Sequence, residues 1–365
     1  MKVLSLARHA FGIAAGVALL AGCSANETTP SMGSGSVALQ NAGGYHHSIH
    51  ELNRLVAMTN REGKGVPAAR HSIAHSWHHQ APRGTTGTIW ADDPDYGSVD
   101  MIAYPSGTLV GQTGGFEYPY GNCSDKSGNV YVADFDIEEL FELNSSGSVI
   151  NSYPTGGEAF GCSVAPNGDV AVTNFDPGDV VIVAGPDAGQ NWGGEALDWP
   201  GGFDLQGNFY VECADESPCS SPSLYEWPHG GSSWKRLNFD TTITFPGAIQ
   251  LMGAVLGVAD QAPSGETAMG LYYTQVNGSA AHVVKTVTFI GADSCPYIDW
   301  ATSWGSLSRK PNGLQSKKGI IKKIVASEAD CSAGVGLWNA KKGGAPIRTL
   351  GPLSGEGVKG TTFTK

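Results

Sequence analysis

Of the 365 residues, 41% are hydrophobic and 15% charged, a balance that excludes intrinsic disorder, a coiled coil and a long helical protein. The formal charge of -12 excludes a generally basic nucleic-acid binder, so no nucleic-acid partner is expected. Glycine, at 51 residues without a collagen period, is spread between short apolar runs as turn-rich β structure requires. The length suits two average domains or one large all-β architecture.

Lys2 and Arg8 flank the start of an apolar run from Ala10 to Leu20. That run is too short for a spanning helix, which needs about 20 residues, and predicts a signal peptide over residues 1–23. It ends in Leu20-Ala21-Gly22-Cys23, which resembles the bacterial lipobox. The resemblance implies lipidation at Cys23 and a membrane partner through the lipid anchor, since several acyl chains hold firmly where one does not. Ser24 then implies onward transport to the outer membrane if the organism has one. The expected address is the extracytoplasmic side of a bacterial cell envelope.

Six cysteines remain beyond Cys23, an even number suited to an oxidising compartment. Cys213 and Cys219 flank a short Pro/Ser turn, Cys123 and Cys162 sit in neighbouring repeats, and Cys295 with Cys331 would complete three disulfides. Spacing alone leaves the connectivity open.

Residues 24–86 read as a flexible tether. The part up to residue 44 is rich in Ser, Gly, Thr, Asn and Ala without hydrophobic periodicity. Seven of the ten histidines follow: His46, His47, His50, His71, His75, His78 and His79. Ile49, Leu52, Leu55 and Val56 suit one stripe of a short helix, and His71, His75 and His78 have a one-turn spacing that a divalent metal accepts. A full site needs more ligands and outer support, so these histidines are read as binding metal adventitiously.

From residue 87 the chain repeats. Tyr120-Gly121 is followed by Gly128-Asn129-Val130-Tyr131-Val132-Ala133-Asp134, and Phe160-Gly161 by Gly168-Asp169-Val170-Ala171-Val172-Thr173-Asn174. Pro200-Gly201 with Gly207-Asn208-Phe209-Tyr210-Val211, and Pro246-Gly247 with Gly253 to Val258, continue the series. Each unit is a Gly turn, a small-residue strand, a second Gly turn and an alternating β-branched or aromatic strand. Two further strands follow, as in Leu140 to Leu143 and Val149 to Tyr153, and four antiparallel strands per repeat make a propeller blade. A fifth, divergent unit starts near Pro296, with Trp300, Trp304, Gly319-Ile320-Ile321 and Val335-Gly336-Leu337-Trp338. A sixth combines Gly357 to Lys365 with the strands around Thr88, Val99 and Thr108, which leaves no open edge. The expected fold is an all-β, six-bladed β-propeller over residues 87–365, closed by N- and C-terminal strands.

These Gly-Asn-Val-Tyr-Val-Ala-Asp and Val-Thr-Asn strings resemble NHL and YVTN-type repeats. Those belong to the wider six-bladed, TolB-like group that includes SMP-30/gluconolactonase and streptogramin-lyase-like enzymes. The group contains hydrolases, lyases and pure binding modules, so the resemblance implies a scaffold and function rests on a site.

Asp134, Asn174, Asp215 and Asp260 are expected to end the second strands of successive blades as a polar ring, or simply to cap turns. Glu117 and Glu158 precede first strands near Asn122. In SMP-30-like enzymes a Glu, an Asn and an Asp on inner strand starts hold a divalent cation, and oxygen ligands suit calcium; here the residue types occur without that family's surrounding motif. His229 and His282 are the histidines beyond the tether, and Pro228-His229-Gly230-Gly231 reads as an outer turn. Residues 87–308 carry four basic and 28 acidic residues, whereas 309–365 carry eleven basic and three acidic ones.

The sequence thus predicts a lipid-anchored propeller that binds a protein, peptide, glycan or small molecule at one end of its channel, without a required cofactor. The rival is a metal-dependent hydrolase or lyase acting on a lactone or cyclic ester.

Overall fold

In this computed structural model the described residues are 76–193, 199–213, 222–261, 269–290, 305–307, 323–327, 334–350 and 358–365. They form strands and no helix. First come β1 (Ser76–His78), β2 (Gly87–Asp93), β3 (Ser98–Tyr104) and β4 (Thr108–Gly114). The second blade is β5 (Pro119–Ser124), β6 (Val130–Asp134), β7 (Glu139–Leu143) and β8 (Val149–Pro154). The third is β9 (Ala159–Val164), β10 (Val170–Asn174) and β11 (Val180–Ala184). The fourth is β12 (Gly202–Phe203), β13 (Phe209–Cys213), β14 (Ser223–Trp227) and β15 (Lys235–Arg236). Then β16 (Asn238–Phe239) precedes β17 (Pro246–Leu251), β18 (Leu256–Asp260), β19 (Met269–Asn277) and β20 (Ala280–Phe289). The sixth is β21 (Gly305–Leu307), β22 (Lys323–Ser327), β23 (Val335–Asn339) and β24 (Arg348–Leu350). Finally β25 (Thr361–Thr364) pairs antiparallel with β2, in register from Thr88 opposite Thr364 to Ala91 opposite Thr361. The first blade is therefore built from both ends of the propeller, and the protein is a six-bladed β-propeller.

Three details differ from the sequence reading. Ser76–His78 pairs with β4 as an outer strand, inside the stretch read as tether; β4 would otherwise leave its ladder open. His78 thus sits on an extended strand, where helical spacing does not apply, while His71 and His75 lie outside the described residues. The third blade has three strands, with a bridge from Val181 to Asn191 in place of a fourth. The sixth blade's second strand is β22, beyond Gly319-Ile320-Ile321, which lies outside the described residues.

Strand alternation explains why the ring holds together. Successive side chains of a strand leave opposite faces of the blade, and here both faces are buried against neighbours. Trp90, Val99 and Met101 of the first blade meet Val130, Val132 and Leu143 of the second. Tyr131, Ala133 and Leu140 leave the second blade's other face toward Val170 and Val172 of the third. Equivalent clusters fill the remaining four seams, ending where Ile89 and Ala91 meet Val335 and Leu337. Six filled seams for six blades mean a closed ring. Each fully buried Val, Leu or Ile contributes about 1.5–3 kcal/mol relative to exposure.

The repeated x-Gly pair has a packing reason. At Gly121 an added Cβ would stand 2.5 Å from the Phe160 carbonyl oxygen, and at Gly202, the residue after the Pro200-Gly201 pair, one would stand 2.3 Å from that of Ile249. Inner strands of adjacent blades converge too closely there for any side chain.

Candidate functional site

The residue before the glycine of each x-Gly pair, or one beside it, carries the chemistry of one end of the channel. Tyr118 and Tyr120 stack with centroids 5.6 Å apart, and Tyr120 stacks on Phe160 at 4.8 Å. Phe160 meets Trp199 edge-on at 5.7 Å, and Trp199 meets Phe245 at 5.2 Å. Phe135 and Phe175, which follow β6 and β10, fill in between at 5.5–6.3 Å from Phe160. Four consecutive blades thus contribute one continuous aromatic arc. On the closing strand the equivalent of Tyr120-Gly121 is Lys359-Gly360; Lys359 is buried, with its Nζ 5.7 Å over the Tyr120 ring.

The strand-end carboxylates hold this arc. Asp134 accepts from the backbone N–H of Glu117 at 2.8 Å through Oδ2 and of Tyr118 at 2.9 Å through Oδ1. Asp260 repeats the arrangement three blades on, accepting from Thr244 and Phe245 N–H at 3.0 Å each, with the Tyr272 hydroxyl also donating to Oδ2. Both oxygens of each carboxylate thus fix the loop that presents an aromatic ring. Asn174 differs: its Nδ2 donates to the Thr155 carbonyl at 3.1 Å and to Asp179 at 2.8 Å. Asp215 lies outside the described residues. In that blade β13 ends on Cys213, and its buried carboxylate is Glu212, whose Oε2 accepts from Gly247 N–H at 2.9 Å across the seam.

Burial sets the protonation of this region. It pushes Asp134 up to about 6 against the pull of the Tyr118 and Glu117 amides, with Asp136 and Glu117 adding to the rise. Asp92 and Glu212, both fully buried, are held well above the usual carboxylate range, chiefly by loss of water.

Glu117 and Glu158 are half-buried beside this arc, and Glu158 N–H donates to the Asp176 carbonyl at 3.0 Å. Asn122 turns the other way, into the seam between the first two blades, where Nδ2 donates to Asp92 at 2.8 Å and to the Gly360 carbonyl at 3.2 Å. Among the described residues no three His, Cys, Asp or Glu side chains converge as metal ligands.

Cys123 and Cys162 form a disulfide that crosses the seam between the second and third blades. Cys213 is also disulfide-bonded, and its partner, like Cys219, Cys295 and Cys331, lies outside the described residues. His229 is exposed in the turn closed by Gly231 N–H on the Pro228 carbonyl, and His282 pairs with Asp240 on an exposed edge. Residues the sequence reading passed over are Trp199, Glu212, Asp92 and Lys359. The x-Gly register was the available signal for Lys359, and the Gly207 repeat for Glu212.

No protein-family model matches the chain, and no curated protein sequence matches it. Solved structures do resemble it. One is a functionally unknown protein from Desulfotomaculum acetoxidans, 11% identical over 76% of this chain and 99% of that one, with a TM-score of 0.50. Another comes from a nidogen/laminin complex, 13% identical over 76% and 98%, with a TM-score of 0.52. A streptogramin B lyase is 12% identical over 69% and 70%, with a TM-score of 0.41. The first two likenesses show the fold alone, and the third carries no argument about activity.

Proposed function

We propose that this chain is a lipid-anchored extracytoplasmic propeller of the TolB-like group, with NHL-type repeats, that binds a partner at the aromatic end of its channel without catalysis. The observation that carries the reading is Trp199. It joins the rings of adjacent blades in the arc, is only 8% exposed, and its indole Nε1 has no acceptor among the described residues. A buried donor left unmet costs about 1–3 kcal/mol. A ligand acceptor that gained access to this indole would recover that cost. Asp134 and Asp260, by contrast, direct both oxygens to backbone amides and so hold the platform instead of acting as acid or base. The lipobox at Cys23 supplies the anchor, and the partner is a protein, peptide, glycan or small molecule with an acceptor beside an apolar surface.

The test is a metal analysis of tag-free protein followed by a lactone-hydrolysis screen with and without chelator. The binding reading expects no stoichiometric metal and no chelator-sensitive turnover. Stoichiometric calcium with chelator-sensitive lactone hydrolysis would replace it by the hydrolase reading.

A further inference from the structure

A cavity lies at the opposite end of the blades from the aromatic arc. β9 runs from Phe160, in the arc, to Val164, and the cavity begins at the hairpin that follows, between the third and fourth blades. Its volume is about 220 Å³, and its walls include Trp192, Trp227, Asn167, Asp187, Gln190 and His229.

The indoles form a fixed platform. Trp192 and Trp227 are stacked, with planes 7° apart and centroids at 5.2 Å. Trp234 stands edge-on to both, and its Nε1 donates to the carbonyls of Trp192 and Gly193 at 3.1 Å. A platform locked in this way loses little entropy when a ligand lands on it. The polar rim is equally placed by the fold. Asp169, buried at the hairpin, accepts from Asp187 N–H at 2.9 Å and so sets the turn that carries Asp187. The Asp187 carboxylate is half-buried and has no side-chain partner among the described residues. Gln190 accepts from the Trp192 indole at 3.1 Å, which turns its amide donor outward. The His229 ring lies over Gly207, where an added Cβ would stand 3.0 Å from Nδ1.

We propose that this cavity binds a saccharide. A sugar ring offers C–H bonds to an aromatic surface and, at its edge, hydroxyls that each donate and accept. The rim matches that demand with a carboxylate acceptor, an amide donor and an imidazole that serves either way. A cationic ligand would use Asp187 and the indoles but would leave the Gln190 amide donor without an acceptor. The volume falls below the ~300–1,000 Å³ typical of drug-sized sites and suits one sugar ring. The site shares no residue with the channel-end arc, so either reading can fail without the other.

The full chain in detergent is titrated with methyl β-glucoside and with diacetylchitobiose, with choline as the cationic control. Binding is read by saturation-transfer NMR and tryptophan fluorescence. The expected result is saturable binding of at least one sugar, with transfer to its ring C–H protons. Trp227→Ala should abolish binding, and Asp187→Asn should weaken it about tenfold with an unchanged melting temperature. Because Trp227→Ala removes core contacts, Asp187→Asn and Gln190→Ala keep the test valid if that variant fails to fold. No saturable response to either sugar overturns the proposal. So does sugar binding that Asp187→Asn and Gln190→Ala leave unaltered, or a choline response that Asp187→Asn removes.

Discussion

Asn122 donates its Nδ2 hydrogen to Oδ1 of Asp92 at 2.8 Å, across the seam between the first two blades. The same Nδ2 reaches the Gly360 carbonyl at 3.2 Å, so one amide ties the first blade, the second blade and the closing strand. Asp92 Oδ2 is buried with no partner among the described residues. A buried carboxylate satisfied on one oxygen is costly to ionise, which is why its pKa is held well above the ordinary range.

That raised pKa fixes the sign of a pH dependence. A carboxyl whose folded pKa exceeds its unfolded value binds its proton more tightly in the native state. Its stabilising contribution is full below the unfolded pKa, about 4, and is lost as pH rises toward the folded value. Asp134, at about 6, and Glu212 act in the same direction. Melting temperatures of the wild type should therefore fall between pH 4 and pH 6 and beyond, with Asp134 alone accounting for roughly 2–3 kcal/mol. Asp92→Asn keeps the acceptor for Asn122 and removes an ionisable group, so the fall should be smaller. An identical profile in the variant would show that Asp92 does not carry this dependence.

Asp134→Ala should cost about 2 kcal/mol, because the backbone amides of Glu117 and Tyr118 lose their shared acceptor. Hydrogen exchange of those two amides should accelerate more than that of the Val132 amide in the same blade. Uniform acceleration would mean that Asp134 supports the whole blade instead of the loop that presents Tyr118.

The blades were legible because their local signals agree. Gly128-Asn129-Val130-Tyr131-Val132-Ala133-Asp134 carries its own turn, alternation and end cap, and similar strings recur at Gly168 to Asn174 and Gly207 to Val211. The site was less legible, because a strand sequence gives residue types without naming the partner across a seam. Asn122 looked like a cation ligand beside Glu117, yet it lies on the strand face that meets Asp92, thirty positions away in the chain. Glu212 escaped because its strand ends on Cys213, where the other blades have Asp134 or Asp260. The saccharide cavity was not legible at all. Trp192 lies in the irregular stretch after β11 and Trp227 at the end of β14 in the next blade, and only the closed seam brings them to 5.2 Å.

The Cys123–Cys162 bond closes a separation of 39 residues across one seam. On the chain-entropy account a loop of that length contributes about 3–4 kcal/mol. The double variant Cys123→Ser/Cys162→Ser should lose that amount in guanidinium unfolding while remaining a folded propeller by circular dichroism. A loss below about 1 kcal/mol would mean that the unfolded chain already keeps these two segments close, so that the bond removes little of its entropy.

On the proposed lipid anchor, Cys23→Ser should abolish acylation, because lipid attachment needs the thiol, and should leave uncleaved precursor or protein released from the membrane. Metabolic labelling with a clickable palmitate analogue reads this directly. Label on the variant would remove the lipoprotein assignment.

Ring closure gives the most severe test of the architecture. β25 supplies the inner strand of the first blade, and its Thr364 hydroxyl accepts from the buried Trp90 indole Nε1 at 2.8 Å. Phe363 packs edge-on against Tyr104 at 5.7 Å, and Lys359 N–H donates to the Asp92 carbonyl at 2.8 Å. Deleting residues 357–365 removes all of these and exposes the backbone edge of β2, while the inner side of the sixth seam loses Val358. An exposed, apolar edge strand recruits other chains. The truncated protein should melt well below the wild type and form concentration-dependent oligomers in light scattering. Thr364→Val separates the two causes: it removes the acceptor for Trp90 and keeps the strand, so it should cost about 1–3 kcal/mol without oligomers. A truncated chain that stays monomeric and melts with the wild type would mean that the ring does not depend on its closing strand.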